Sequence, residues 1–303
     1  MQTLRRAGLL AGLCVVCVSA SAQQTVERPP VLSVETDLVT LAVTVVDRHG
    51  VFVAGLRQED FTVYDEGEPR SIQFFTSEDL PATIGLVIDS SGSMRRRSND
   101  VAAAVTAFAA LRHPFDELFT VNFNEAVWAG LPPAVAFTSD PDELRSALTT
   151  APPQGMSALY DAVDRALAHL GLGTRDRKAL IVVSDGGDNA STQTFDAVLE
   201  HARRSKATIY TLSLFDPDDG DARPRVLRAL ARETGGASFA PRRPEDVTGA
   251  FMEIARELRS GYTIGFRPPG TPGGGFRSIR VVVDTDARRR LIVRTRAGYY
   301  AGP

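Results

Sequence analysis

Asp89-Ser90-Ser91-Gly92-Ser93 closes the apolar run Thr83-Ile84-Gly85-Leu86-Val87-Ile88. One carboxylate and two hydroxyls, at alternate positions, therefore leave a buried strand on a single turn. Hard oxygens of this kind suit a small hard cation such as Mg²⁺, which takes oxygen ligands in octahedral geometry and keeps some water. Asp185 ends a second run, Leu180-Ile181-Val182-Val183-Ser184, and the following Gly186-Gly187 allows a tight exit. Ser157, in Gly155-Met156-Ser157 ahead of a helical stretch, offers another hydroxyl. Asp89, Ser91, Ser93, Ser157 and Asp185 together supply two negative charges and three neutral oxygens. Two carboxylates neutralise a divalent ion and leave a coordination position to water or to an outside carboxylate. The expected chemistry is metal-bridged recognition of an acidic side chain on a partner protein, with Mg²⁺ as the cation and Mn²⁺ or Ca²⁺ as alternatives.

Competing chemistries are weaker. Asp89 as a phospho-acceptor of the haloacid dehalogenase type needs a second Asp two residues on, and Ser91 stands there. A hydroxyl cannot do that proton work near neutral pH. His49, His113, His169 and His201 show no metal-type pairing, and no Gly-x-Ser-x-Gly elbow is present. Asp216-Pro217-Asp218-Asp219-Gly220-Asp221 lacks the spacing and closing Glu of a calcium loop and reads as solvated. Gly273-Gly274-Gly275 lacks the Lys-Ser/Thr and helix of a phosphate cradle and reads as a hairpin loop. Trp128 is expected to be buried near a short edge strand. Arg95-Arg96-Arg97 reads first as a solvated turn and second as a steering charge for an acidic partner.

The metal loops need a sheet edge to hold them, and the chain supplies one. From about Pro81, strand-like runs alternate with helical ones: strands at 84–88, 119–123, 134–137, 180–183, 208–215 and 238–239, and helices at 101–111, 141–148, 159–170, 195–206 and 225–233. In the last helix Val247, Ala250, Phe251, Ile254, Ala255 and Leu258 form one apolar stripe. Such alternation predicts an α/β, Rossmann-like doubly wound, mostly parallel sheet with helices on both faces. Ligands of such sheets bind beyond the carboxyl ends of the strands, at the switch point. Both flanks read as strands only, at 31–75 and after Gly261, with turns at His49-Gly50 and Asp65-Glu66-Gly67. Neither flank is large enough to bury a core alone. The two are expected to pair into one small antiparallel β-sandwich, with the α/β domain inserted between them.

Bulk properties agree with a globular chain acting outside the cytoplasm. Over 303 residues, 43% are hydrophobic and 23% charged, enough for one large or two modest domains. The net charge of −3 gives no electrostatic reason to expect nucleic acid or an anionic membrane as partner. Arg5 and Arg6, the apolar stretch 7–18 and Ala20-Ser21-Ala22 make up a cleavable signal peptide over 1–22. Cys14 and Cys17, the two cysteines, fall inside it, so the mature chain has no thiol or disulfide chemistry. No later segment is apolar for long enough to span a bilayer. The expected organisation is signal peptide 1–22, β segment 23–80, α/β domain 81–260 and β segment 261–303, in a secreted or periplasmic protein of open oligomeric state.

Asp89-x-Ser91-x-Ser93, with Gly155-Met156-Ser157-Ala158-Leu159-Tyr160-Asp161 and Val183-Ser184-Asp185-Gly186, resembles the von Willebrand factor type A domain over about residues 82–258. The layout, with β segments on both sides and Arg296-Ala297-Gly298-Tyr299-Tyr300 near the end, looks like secreted bacterial proteins with a von Willebrand factor A-related domain. The resemblance implies a metal-ion-dependent adhesion site. In it Asp89, Ser91 and Ser93 are direct ligands, Ser157 takes the place of the usual Thr, and Asp185 is the third-loop acid, often acting through water. Ser keeps the hydroxyl but loses the β-branch that stiffens χ1. A non-enzymatic binding and adhesion module is the first functional expectation. A scaffold subunit of an envelope assembly, its metal site degenerate or structural, is the second, and a metal-dependent hydrolase, lacking a general base, the third.

Overall fold

The computed structural model describes residues 38–148, 153–214, 222–270, 274–284 and 291–301. The expected signal segment with Cys14 and Cys17, the acidic stretch Asp216–Asp221 and Gly273 lie outside the described residues.

The chain opens with β1 (Val39–Val46), β2 (Phe61–Asp65), β3 (Glu68–Arg70) and β4 (Ile72–Thr76). The α/β region follows as β5 (Ala82–Asp89), α1 (Ser98–Ala110), β6 (Glu117–Phe123), β7 (Val127–Ala129), α2 (Pro141–Ala147), α3 (Leu159–Leu170) and β8 (Arg177–Ser184). It continues with α4 (Phe195–Arg204), β9 (Ala207–Ser213), α5 (Pro224–Thr234), β10 (Ser238–Phe239) and α6 (Pro244–Ser260). β11 (Tyr262–Phe266), β12 (Phe276–Val283), β13 (Ile292–Arg294) and β14 (Gly298–Tyr300) close the chain.

The central sheet runs β10-β9-β8-β5-β6-β7, parallel throughout except for β7. All eight residues of β5 are buried, because helices cover both faces. One layer is α1 and α6, whose Phe108 and Phe251 rings meet edge-on at 6.0 Å. The apolar stripe Val247, Ala250, Phe251, Ile254, Ala255 and Leu258 is buried along its whole length, in the same core cluster as Ile84, Leu86 and Ile88. On the other face Leu159, Val163 and Leu167 of α3, Val198 of α4, and Leu227 and Leu230 of α5 pack on Val87, Leu180 and Val182. The chain leaves β5 toward α1 on one face and leaves β8 toward α4 on the other. The gap between those two exits is the switch point of the sheet.

The fold is thus a doubly wound α/β sheet inserted in an antiparallel β-sandwich. The two outer sheets each mix strands from both ends of the sequence, in the orders β13-β1-β11-β4 and β14-β12-β2-β3. β1 pairs with β11 from Val39↔Phe266 to Val43↔Tyr262, and β2 with β12 from Phe61↔Val283 to Asp65↔Ile279. Between the sheets Leu41, Val43, Val45, Phe61, Val63, Tyr262, Ile264, Phe266, Ile279, Val281 and Tyr299 form one core. Asp65 is buried against it, held by Arg277 Nε at 2.9 Å and Arg277 Nη2 at 3.0 Å. Arg177 ties the sandwich to the α/β layer by donating to the carbonyls of Leu258 and Gly261 and to Thr263 Oγ1.

One predicted strand is misplaced. Residues 134–137 form no strand, and the sheet edge is instead Val127–Ala129, antiparallel to β6. A tight turn at Asn124 reverses the chain: Ala126 N–H donates to Asn124 Oδ1 at 2.9 Å. Pro132 and Pro133, which lack N–H donors, keep the next residues out of the ladder. Trp128 sits on this edge strand, half-buried. β3, too short for a period-2 pattern, also went unpredicted.

Because both strands paired with β1 come from the far end of the sequence, and its local contacts are only the Val46↔Phe52 bridge and the Val53 N–H on the Val45 carbonyl, its stability depends on them. A chain ending at Ser260 is expected to lose amide-exchange protection across Val39–Val46 while Ala82–Asp89 keeps its own. Retained protection of β1 would show that the N-terminal strands bury a core unaided.

Candidate functional site

Asp89 is the last residue of β5, and its carboxylate turns inward, 3% exposed. Oδ1 accepts from the Ser91 N–H at 2.8 Å and Oδ2 from Ser184 Oγ at 2.7 Å. Ser91 begins a short 3₁₀ turn, Gly92–Arg96, which aims Ser93 back toward the sheet. Ser93 Oγ lies 3.1 Å from Ser91 Oγ and donates to Asp185 Oδ2 at 2.6 Å. Asp185 follows β8, and its Oδ1 accepts from the Gly187 N–H at 2.8 Å. Ser157 sits just ahead of α3, where its N–H donates to Asn189 Oδ1 at 2.8 Å.

Three loops are therefore tied to each other in a closed circuit. The first joins the second through Gly92 N–H to the Gly155 carbonyl (3.2 Å) and Gln154 N–H to the Ser90 carbonyl (2.9 Å). The second joins the third through Asn189 and Ala190 N–H groups on the Ser157 carbonyl, at 3.0 and 3.1 Å. The third returns to the first through the Ser184–Asp89 and Ser93–Asp185 bonds. Two glycines are required by backbone shape. Gly155 has φ +79°, and a Cβ there would strike the Glu125 carboxylate, which accepts the Met156 N–H at 3.1 Å. Gly186 has φ +85°, and a Cβ would lie 2.5 Å from the Arg223 carbonyl oxygen.

The circuit encloses a pocket of about 220 Å³ lined by Ser91, Ser93, Gly155, Met156, Ser157, Asp185, Gly187 and Asn189. Four of the five sequence-predicted residues face it. The fifth, Asp89, lies behind Ser91 as the buried charge under the pocket. Burial pushes the Asp89 carboxyl up to about 6, and the Asp185 charge adds to that, against the hydrogen bonds from Ser91 and Ser184. Two carboxylates and three hydroxyls brought this close, with a buried acid that is costly to ionise alone, fit a divalent cation as the missing compensating charge. Among the described residues no three His, Cys, Asp or Glu side chains converge to hold a metal, so any ion here would depend on serine oxygens.

Residues 84–187 match the family model of the von Willebrand factor type A domain. The α/β part of this chain is a von Willebrand factor type A domain. The matched stretch of the domain contains all five predicted residues. A von Willebrand factor type A structure from Catenulispora acidiphila is similar at 14% identity and TM-score 0.53, covering 88% of this chain and 74% of that one. The von Willebrand factor domain of the type V pili tip protein Mfa5 from Porphyromonas gingivalis matches at 14% identity and TM-score 0.50, covering 59% and 95%. At such identities the likeness is one of fold. No curated protein matches the chain.

Sequence reasoning missed Ser184 and Asn189. Ser184 faces Asp89 across β5 and β8, a contact that only the strand register creates; Asn189, in Asp188-Asn189, carried the weak signal of an Asx-rich turn. The arginines after the first loop of the type A domain are not all loose: Arg95 reaches the Pro153 carbonyl at 3.4 Å, and Arg97 pairs with Asp100 at 3.9 Å.

The sign of the Asp89 effect on stability follows from its raised value. In metal-free protein the protonated form is favoured by folding, so this contribution is present in acid and is lost as pH rises through about 6. Asp89→Asn should therefore stabilise the metal-free protein at pH 7.5 by on the order of 2 kcal/mol and flatten its pH dependence between 5 and 8. Thermal melts across that range test it; parallel curves for the two proteins would refute the assignment.

Proposed function

We propose that this chain is a secreted or periplasmic, non-enzymatic binding protein whose pocket holds Mg²⁺ and captures a carboxylate of a protein partner. The carrying observation is the convergence of Ser91, Ser93, Ser157 and Asp185, from three cross-tied loops, on one pocket above the buried Asp89. Asp89, Ser91, Ser93 and Ser157 would hold the ion, and Asp185 would complete the charge. When bound, the cation supplies an electrophilic position that an outside carboxylate can fill.

The chain's own residues do the rest. Ser184 keeps Asp89 turned inward, so that its charge attracts the cation without itself meeting the partner. Asn189 orients the Ser157 backbone, and half-exposed Met156 gives the rim an apolar contact surface. A binding role is favoured over hydrolysis because no histidine lines the pocket and Ser91 stands where a second acid would be needed. His201 is engaged by Asp164 at 2.7 Å and His169 by the Ala136 carbonyl at 2.8 Å. The pili tip protein among the similar structures supports a surface role. So does the signal segment expected over 1–22. No helix among the described residues is long and apolar enough to cross a membrane.

Isothermal titration with Mg²⁺ and Mn²⁺ tests the reading. Saturable binding to the wild type and its loss in Asp89→Ala are expected, with affinity falling below pH 6 as protons compete. No metal-dependent heat in the wild type would sink the proposal. Ser157→Thr, which restores a stiff χ1, should tighten Mg²⁺ binding by about threefold; weaker binding in this variant would remove Ser157 from the ligand set.

A further inference from the structure

At the amino ends of the central strands, away from the carboxyl-end pocket, α5, β10, β12 and β13 enclose a cleft of about 480 Å³. Its walls carry Arg228, Arg232, Arg280, Arg294 and Arg296 and no Asp or Glu. That is unexpected in a chain with a net charge of −3. A random surface of such a chain would mix signs, as the paired arginines elsewhere do.

The arginines are also poorly compensated. Arg228 makes no ion pair with any described residue and is exposed on α5. Arg280 is exposed too, its guanidinium lying 4.3 Å over the Tyr64 ring rather than on a carboxylate. Among the described residues Arg296 donates only to the backbone carbonyls of Gly298 and Arg203, and burial holds its guanidinium below its ordinary value. Arg232 has the neighbouring Glu233, and Arg294 has the buried Glu257. Even so, Arg294 Nε and Thr295 Oγ1 are buried with no partner among the described residues. Unpaired buried donors beside uncompensated cations are costly unless something outside completes them.

We propose that this cleft is a second recognition site, which binds an acidic peptide segment of a protein partner. Guanidinium forks match carboxylates two bonds at a time, so closely set arginines favour a ligand with several acidic side chains. β10 and β13 are each the last strand of their sheets, so the cleft runs between two sheet edges, a setting that suits an extended segment. A nucleic acid fits less well, because its phosphates would continue past the cleft over an acidic protein. The site is independent of the metal pocket and stands whether or not that pocket binds Mg²⁺.

The test uses the full chain, stripped of metal and held in metal-free buffer, so that carboxylate capture at the other pocket cannot contribute. A fluorescein-labelled oligo-glutamate peptide is followed by anisotropy, with oligo-glutamine and a single-stranded oligonucleotide as comparators. Binding of oligo-glutamate that weakens with salt is expected, with no binding of oligo-glutamine. The double variant Arg228→Ala, Arg280→Ala alters exposed side chains only and should weaken binding at least about tenfold. Arg228→Glu should weaken it more than Arg228→Ala does, while Asp89→Ala leaves it unchanged. Absence of binding in metal-free buffer, or unchanged affinity in the double variant, overturns the site. An oligonucleotide bound as tightly as oligo-glutamate overturns the choice of a peptide.

Discussion

The type A domain is organised around a carboxylate placed where it does not want to be ionised. Asp89 ends a fully buried strand, and its two oxygens are satisfied by one backbone N–H and one serine hydroxyl. Neither partner cancels the charge. The second acid, Asp185, lies close enough to raise the cost further. Such a pair persists only if the surrounding loops cannot relax away from it. The circuit of hydrogen bonds between the three loops, and the glycine-only backbone at 155 and 186, hold them in place. The pocket is thus a stored electrostatic demand on a rigid frame, which is the ground for the proposed cation site.

That frame has to be rigid in its turn. The parallel sheet provides this from both faces, since β5 and β8 are neighbours in the middle of it and helices leave them on opposite sides. The sandwich closes the other end of the strands. It is assembled from segments separated by the whole α/β domain, so its formation requires that domain's first and last elements to be near each other. α6 passes directly into β11 through Gly261, and Arg177 bonds both that junction and β11. The two ends of the strands are therefore different environments: an acidic, hydroxyl-rich pocket at the carboxyl ends and an arginine-lined cleft at the amino ends.

Much of this was legible in the residues. Buried parallel strands read as unbroken apolar runs, and amphipathic helices such as α6 read as stripes, because both periods are local. The five candidate residues could be nominated because each stands at the end of such a run or just before a helix. The edge strand was placed wrongly because tertiary pairing, not propensity, selects which short segment joins a sheet margin; Pro132 and Pro133 and the Asn124 turn decided it. The arginine cleft was invisible for a related reason. Its residues come from positions 228 to 296, and no spacing in the chain links them.

Local pattern was enough for the alternation of elements, the insertion of an α/β domain between β segments, and the oxygen-rich loops at the strand ends. These follow from periodicity and from residue type, which act over a few positions. Packing in three dimensions was needed to place Ser184 on Asp89, to set Asn189 against the Ser157 backbone, and to gather five arginines in one cleft. Those are contacts across strand register and between sheets. They depend on where backbone from remote parts of the chain comes to lie, which the burial of apolar faces dictates and no local pattern encodes.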